Sequence, residues 1–214
     1  ALGQSDNTLV IFTSDNGPET LNRYKSANRS YGTPGDLRGM KLHTHEAGIR
    51  VAGIMRWPKG IEAGQVSDTP VCSLDFLPTF AELSGAEIPA DRELDGANFL
   101  PALAGEAIGR TQPLMWVYFN AINEAKAAMR QGDWKIIGKL DGGKLPKFQQ
   151  IDENNIDRLK AAKLGDFEVY NVRTDPNETE ARAPGVQQLD GRFIQLYNRI
   201  LKDSHVWPSA KTNN

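Results

Sequence analysis

Residues 8–12 read Thr-Leu-Val-Ile-Phe, a β-rich run without polar alternation, and pass directly into Thr13-Ser14-Asp15-Asn16-Gly17-Pro18. No other feature limits the fold as much. A strand that is apolar at successive positions is expected where a sheet is covered on both faces, as in α/β proteins. Asn-Gly and Gly-Pro then force a turn. Such a strand needs neighbours on both edges and helices over both faces, yet it comes almost at the start of the chain. The expectation is therefore that these 214 residues are the later part of a longer protein.

In open α/β sheets, ligands bind at the carboxyl ends of the strands. Asp15 and Asn16 place a carboxylate and a carboxamide there, oxygen donors that suit a hard divalent cation such as Ca²⁺ or Mg²⁺. An Asx-turn that merely ends the strand uses the same residue types, so the pattern alone leaves both readings open. Composition removes other classes. Lys and Arg number 25 against 27 Asp and Glu, a net charge of −2 without the basic excess of a phosphate-gripping nucleic-acid binder. No run of 18 apolar residues is present, so no membrane span is expected. The single cysteine, Cys72, excludes an internal disulfide and a zinc site built mainly on cysteine, and reads as a buried structural thiol.

Residues 19–47 are polar and rich in Gly, Asn, Arg and His, a loop of a length that is usually functional. Residues 37–50 concentrate Arg38, Lys41, His43, His45 and Arg50. Lys41 on a glycine-anchored loop can act as a point charge for an anion, and the two histidines as ligands or proton donors. The competing reading is a solvated basic loop in which Glu46 and Arg50 pair. Strands are predicted over 48–57 and 66–71. A helix follows, with Asp75 as N-cap, Leu77, Phe80, Ala81 and Ser84 as its stripe, and Gly85 beyond its end. After residue 108 the pattern predicts short strands at 114–119, 127–130, 134–138 and 167–171 in an antiparallel meander, with an irregular excursion over 141–165. A helix over 184–202 closes the chain, its stripe formed by Leu189, Phe193, Leu196, Tyr197, Ile200 and Leu201. The implied division is 1–108 and 109–214.

Together the blocks amount to a resemblance. They run from residues 9–19 (L-V-I-F-T-S-D-N-G-P-E) through Leu37-Arg38-Gly39, Lys41, residues 46–50, Trp57-Pro58, residues 73–79, Leu83-Ser84-Gly85 and Asp95-Gly96. Residues 130–135 (R-Q-G-D-W-K), 168–171 (E-V-Y-N) and 175–178 (D-P-N-E) complete the series. In this order the chain resembles the later portion of a type I sulfatase, of the alkaline-phosphatase-like superfamily. The resemblance implies an α/β fold: the later part of a sandwich core (1–108), then a small four-stranded antiparallel sheet packed by a helix (109–214).

It also implies roles. Asp15 and Asn16 match two ligands of a Ca²⁺ site, with Mg²⁺ as the alternative. Lys41 matches the lysine that contacts the sulfate, while Glu46, Gly48 and Arg50 match a mainly structural segment. His43 and His45 stand where the family varies, so for either the resemblance implies at most a leaving-group or substrate-specificity role, with His43 taken as the catalytic candidate. Ala47 and Ala52 depart from the usual glycine and proline. The family's formylglycine is made from Cys or Ser in Cys/Ser-x-Pro-x-Arg, and none of the 12 prolines here has Cys or Ser two residues before it. The nucleophile and remaining metal ligands are thus expected upstream, in a missing N-terminal part, and the chain alone is expected to be inactive. The implied substrate is a sulfate ester, an aryl sulfate or a sulfated carbohydrate. The implied location is periplasmic, extracellular or lysosomal. Two alternatives stay open: a phosphate or phosphonate monoester hydrolase of the same superfamily, and a non-catalytic module that binds sulfated glycans. Asn28-Arg29-Ser30 and Asn177-Glu178-Thr179 fit the glycosylation pattern.

Overall fold

The computed structural model describes residues 2–22, 25, 30–122, 126–145, 151–182 and 188–201; Asn28 and Arg29 of the first glycosylation pattern lie outside them. The chain forms two compact units, Ala1–Asp15 with Val51–Leu114, and Asn16–Arg50 with Met115–Asn214.

In the first unit, strand β1 (Val10–Phe12) pairs antiparallel with β2 (Ile54–Arg56), Phe12 standing opposite Ile54. The burial expected on both faces of this strand is not found: Phe12 is 63% exposed and Ile54 61%. Among the described residues the pair has no third strand. An apolar run says what a strand would hide, and two strands alone cannot hide it. The strand expected over 48–57 is shorter than predicted, because its first residues turn helical. Residues 66–71 carry no strand pairing, and Val66 is almost fully exposed.

Helix α2 (Phe76–Ser84) ends as predicted, with Gly85 at φ 69° and the Ala86 N–H on Ala81 O. Asp75 stands at the predicted N-cap position, but its side chain makes no capping bond to the helix; its fully buried carboxylate accepts the Cys72 and Ala97 N–H groups, each at 2.8 Å. The Arg110 guanidinium meets the same carboxylate at 2.7 and 2.9 Å. Thr79 Oγ1 donates to Asp75 O and accepts the Phe99 N–H. These bonds draw the Asp75–Thr79 side of the helix inward. Pro78, Thr79 and Ala81 are therefore buried, whereas Leu77 and Phe80 of the predicted stripe stay largely exposed. Burial and the neighbouring Asp75 carboxylate push the Cys72 thiol up, as suits an unreactive thiol. Helix α3 (Leu100–Leu103) is a single turn.

The second unit opens with the Asn16–Arg50 segment, which ends in a one-turn helix, α1 (Glu46–Ile49). Strands β3 (Leu114–Tyr118), β4 (Lys126–Gln131), β5 (Trp134–Leu140) and β6 (Leu164–Asn171) follow, ordered β3-β4-β5-β6. This is the predicted four-stranded meander, and the β4–β5 and β5–β6 pairs are antiparallel. Helix α4 (Ile156–Ala161) lies in the excursion, and α5 (Leu189–Ile200) is the last element; residues 184–187 and 202 of the predicted helix lie outside the described residues. Strand alternation sends Ala127, Met129, Ile136 and Val169 to one face, against Leu189, Phe193, Leu196 and Tyr197 of α5. Ala128, Ile137 and Tyr170 face the other way with Val172. A sheet buried on both faces can carry a charge only where a counter-charge meets it.

In this chain Asp75→Ala strands the Arg110 guanidinium and should lower unfolding free energy by roughly 3 kcal/mol, read from urea midpoints. Leu77→Ser on the exposed side of α2 should cost less than about 0.5 kcal/mol. The reverse ranking would mean that the apolar stripe faces inward.

Candidate functional site

Two main-chain bonds join the turn after β1 to the basic loop. The Gly17 N–H donates to Gly48 O and the Lys41 N–H to Pro18 O, each at 2.9 Å. The approach is close enough to demand glycine on both sides. A Cβ on Gly17 would stand 1.6 Å from Ala47 O, and one on Gly48 would stand 2.1 Å from His43 O. Residues 40–43 form a turn closed by the His43 N–H on Met40 O at 3.0 Å. Lys41 occupies its second position and Leu42 its third, at φ 75°, a left-handed value that costs a leucine about 1 kcal/mol. The Ile122 N–H on Leu42 O holds that conformation. Met40 is buried and Lys41 is half-buried at the tip. Asn16 Nδ2 donates to Gly17 O at 3.0 Å, which commits the amide nitrogen to the chain. Asp15 belongs to the first unit, as the last residue of its Ala1–Asp15 segment; it is exposed, and its carboxylate takes the Ser14 hydroxyl at 3.3 Å.

Behind the turn lies a buried ion cluster. Lys135, with its side chain 0% exposed, places Nζ 3.0 Å from Glu46 Oε1 and 2.9 Å from Glu178 Oε1. Glu178 Oε2 accepts the N–H of Glu46 at 2.7 Å, at the start of α1. Arg50 and Arg130 approach Glu46 Oε2 at 3.7 and 4.0 Å. Burial pushes the Glu178 carboxyl up, and the Lys135 ammonium pulls it back. Arg38 spans the same region: it donates to Tyr170 Oη and Glu178 O, each at 3.0 Å, while its own carbonyl takes the Ala47 N–H. The Glu46–Arg50 pairing is legible from spacing four residues apart. Lys135, Glu178 and Arg38 are not, because each partner is distant in sequence. The one available signal was a lysine between Trp134 and Ile136-Ile137, in a strand with little room for an unpaired charge.

His43 and His45 pack around Gly39, their ring centroids 5.9 Å apart. Burial, then Lys126 and Arg38, lower the pKa of His43. His45 is 4% exposed, and burial, then Arg38 and Lys126, bring it down to about 3. Among the described residues neither ring nitrogen of His45 has a hydrogen-bond partner. At neutral pH both are neutral imidazoles, with one N–H to donate and one lone pair to accept. Among the described residues no three His, Cys, Asp or Glu side chains converge to hold a metal ion. No carboxylate among them comes within ion-pair distance of Lys41.

Comparison with known proteins gives one direction. The sulfatase family model matches residues 1–86, which include Asp15, Asn16, Lys41, His43 and Glu46. The chain is 40% identical to steryl-sulfatase of Rattus norvegicus over 126 residues, 59% of this chain and 22% of that protein. It is 39% identical to arylsulfatase A of Homo sapiens over 136 residues, 63% of this chain and 25% of that protein. It thus spans about a fifth of the length of the curated steryl-sulfatases that it matches. The crystal structure of Ps i-CgsB in complex with k-i-k-neocarrahexaose superposes with a TM-score of 0.60 at 26% identity, over 98% of this chain and 40% of that one.

A histidine with its folded pKa depressed to about 3 binds a proton on unfolding at any pH between that value and the unfolded value of 6.5. Stability from His45 is therefore complete above pH 6.5 and is lost as pH falls toward 3. His45→Gln should remove about one proton from the uptake on unfolding at pH 5, measured as the slope of urea-derived stability against pH. An unchanged slope would mean that the imidazole is not buried neutral.

Proposed function

Since this chain is a piece of a sulfatase with the α/β fold of the alkaline-phosphatase-like superfamily, we propose that it supplies one side of a centre that hydrolyses sulfate esters. Asp15 and Asn16 offer oxygen donors to a Ca²⁺ ion, or to Mg²⁺. Lys41 offers an ammonium to the sulfate, and His43 flanks the leaving group. The observation that carries this reading is the hydrogen bond from the Lys41 N–H to Pro18 O, beside that from Gly17 to Gly48. It makes the backbone next to Asn16 and the turn that presents Lys41 one continuous piece.

The donors fit the proposed cation in kind, since hard cations take carboxylate and amide oxygens. In number they do not complete it, because Ca²⁺ takes about six to eight oxygens. The remaining ligands belong to the rest of the sulfatase, as does the formylglycine, since Cys/Ser-x-Pro-x-Arg does not occur in these residues. When bound, such a cation draws charge from the sulfate oxygens and makes sulfur open to attack. Lys41 adds a fixed positive charge where negative charge grows on the departing oxygen. The exposed Phe12–Ile54 pair supports a neighbour of the same protein over β1 and β2. The relatives' names include steryl, aryl and N-acetylgalactosamine-6-sulfatases, so the substrate class proposed is a sulfate monoester of an alcohol or phenol. Among the described residues no helix is long and apolar enough to cross a membrane. A periplasmic, extracellular or lysosomal setting belongs to the same proposal.

In the full-length sulfatase, Lys41→Ala should lower kcat/KM for 4-nitrocatechol sulfate by roughly 100- to 1,000-fold. The 214-residue chain by itself should show no hydrolysis above background. Wild-type turnover by the Lys41→Ala enzyme would defeat the assignment of Lys41. Turnover by the isolated chain would defeat the division of the centre.

A further inference from the structure

We infer that Lys135 is a positioning residue for Lys41, acting through Glu46 and α1; the inference rests on the sulfatase reading given above. Lys135 is the second residue of β5, and neither of its ion-pair partners belongs to the sheet. Glu46 opens α1 and Glu178 lies in the turn beyond β6. Glu178 also grips the Glu46 N–H, so the ammonium and both carboxylates converge on the first residue of one short helix. That helix is a single turn and has little stability of its own.

From α1 the contacts run on without a gap. Gly48 lies against the carbonyls of Met40 and His43, which bracket Lys41 and Leu42, and its own carbonyl holds Gly17. Pro18, next in the chain, holds the Lys41 N–H. Deleting the Lys135 ammonium leaves two carboxylates buried beside each other. Arg50 is half exposed and Arg130 is 4.0 Å from Glu46, so neither replaces a contact of 3.0 Å. Glu46 must then move toward water or take a proton, and α1 moves with it. The Met40–His43 turn is displaced in consequence. A merely stabilising cluster would alter how much protein is folded; a positioning cluster alters where the Lys41 charge falls in the transition state.

The test is a double-mutant cycle in the full-length enzyme with 4-nitrocatechol sulfate, with rates normalised to the folded fraction. Lys135→Met should lower kcat on the order of 100-fold, the loss that a displacement of about 1 Å produces. KM should stay within about threefold, because charge stabilisation realised in the transition state appears in kcat. In a Lys41→Ala background the same substitution should cost less than about threefold, since the group that it positions is gone. Should Lys135→Met not fold, Glu46→Gln enters the same cycle, with an expected loss of roughly 10-fold that again vanishes without Lys41. Losses that multiply in the Lys41→Ala background, or an unchanged kcat, overturn the inference. If Lys41→Ala alone has no effect, it is the sulfatase assignment of Lys41 that fails.

Discussion

Three charged side chains with almost no access to water hold the second unit together: Lys135 from β5, Glu46 from α1 and Glu178 from the turn after β6. Burying ions is costly, and an arrangement like this persists only if every charge meets an opposite one at close range. Lys135 does so with two carboxylates, and Glu178 spends its second oxygen on the Glu46 backbone. The result fastens a segment with almost no regular structure of its own to a sheet that has a full core. Arg38 adds a second fastening through Tyr170 and the Glu178 carbonyl, on the sheet face away from α5. The loop of residues 38–50 is irregular in conformation without being loosely held.

Much of the meander was legible because its rules are local. Strands β3–β6 follow β-rich runs, and the β4–β5 turn follows Gly132-Asp133. The buried side of α5 follows its apolar stripe, and the end of α2 follows Gly85. The misreadings have two causes. Residues 8–12 carry the composition of a doubly covered strand, but composition cannot report whether the covering elements are at hand. The Leu77–Phe80 stripe pointed to one face of α2, and hydrogen bonds from Asp75 and Thr79 to residues 97–110 turned another inward. Residues 48–49 looked extended by propensity, yet the buried Glu46 and the close approach of Gly48 to His43 O make them helical. In the two helical cases a polar or close backbone contact outweighed a local apolar signal.

The site divides along the same line. Asp15, Asn16 and Lys41 stood out because their residue types suggest a cation and an anion, and because the surrounding motifs resemble those of sulfatases. The groups inferred to position Lys41 were not singled out. Lys135 lies 89 residues from Glu46, and Glu178 lies 132 residues from the N–H that it accepts. No periodicity connects such positions; only the folded sheet does. The buried neutral state of His45 was equally out of reach, since it arises from packing around Gly39 and from the charges of Arg38 and Lys126.

The contact of Gly17 with Ala47 and Gly48 is made between backbones alone. A seam of that kind contains no rotamers to rearrange, so exchange of the outward-facing side chains around it leaves its alignment untouched. Such a scaffold can change what projects from the turn while the spacing between the Gly17 and Gly48 segments is inherited intact.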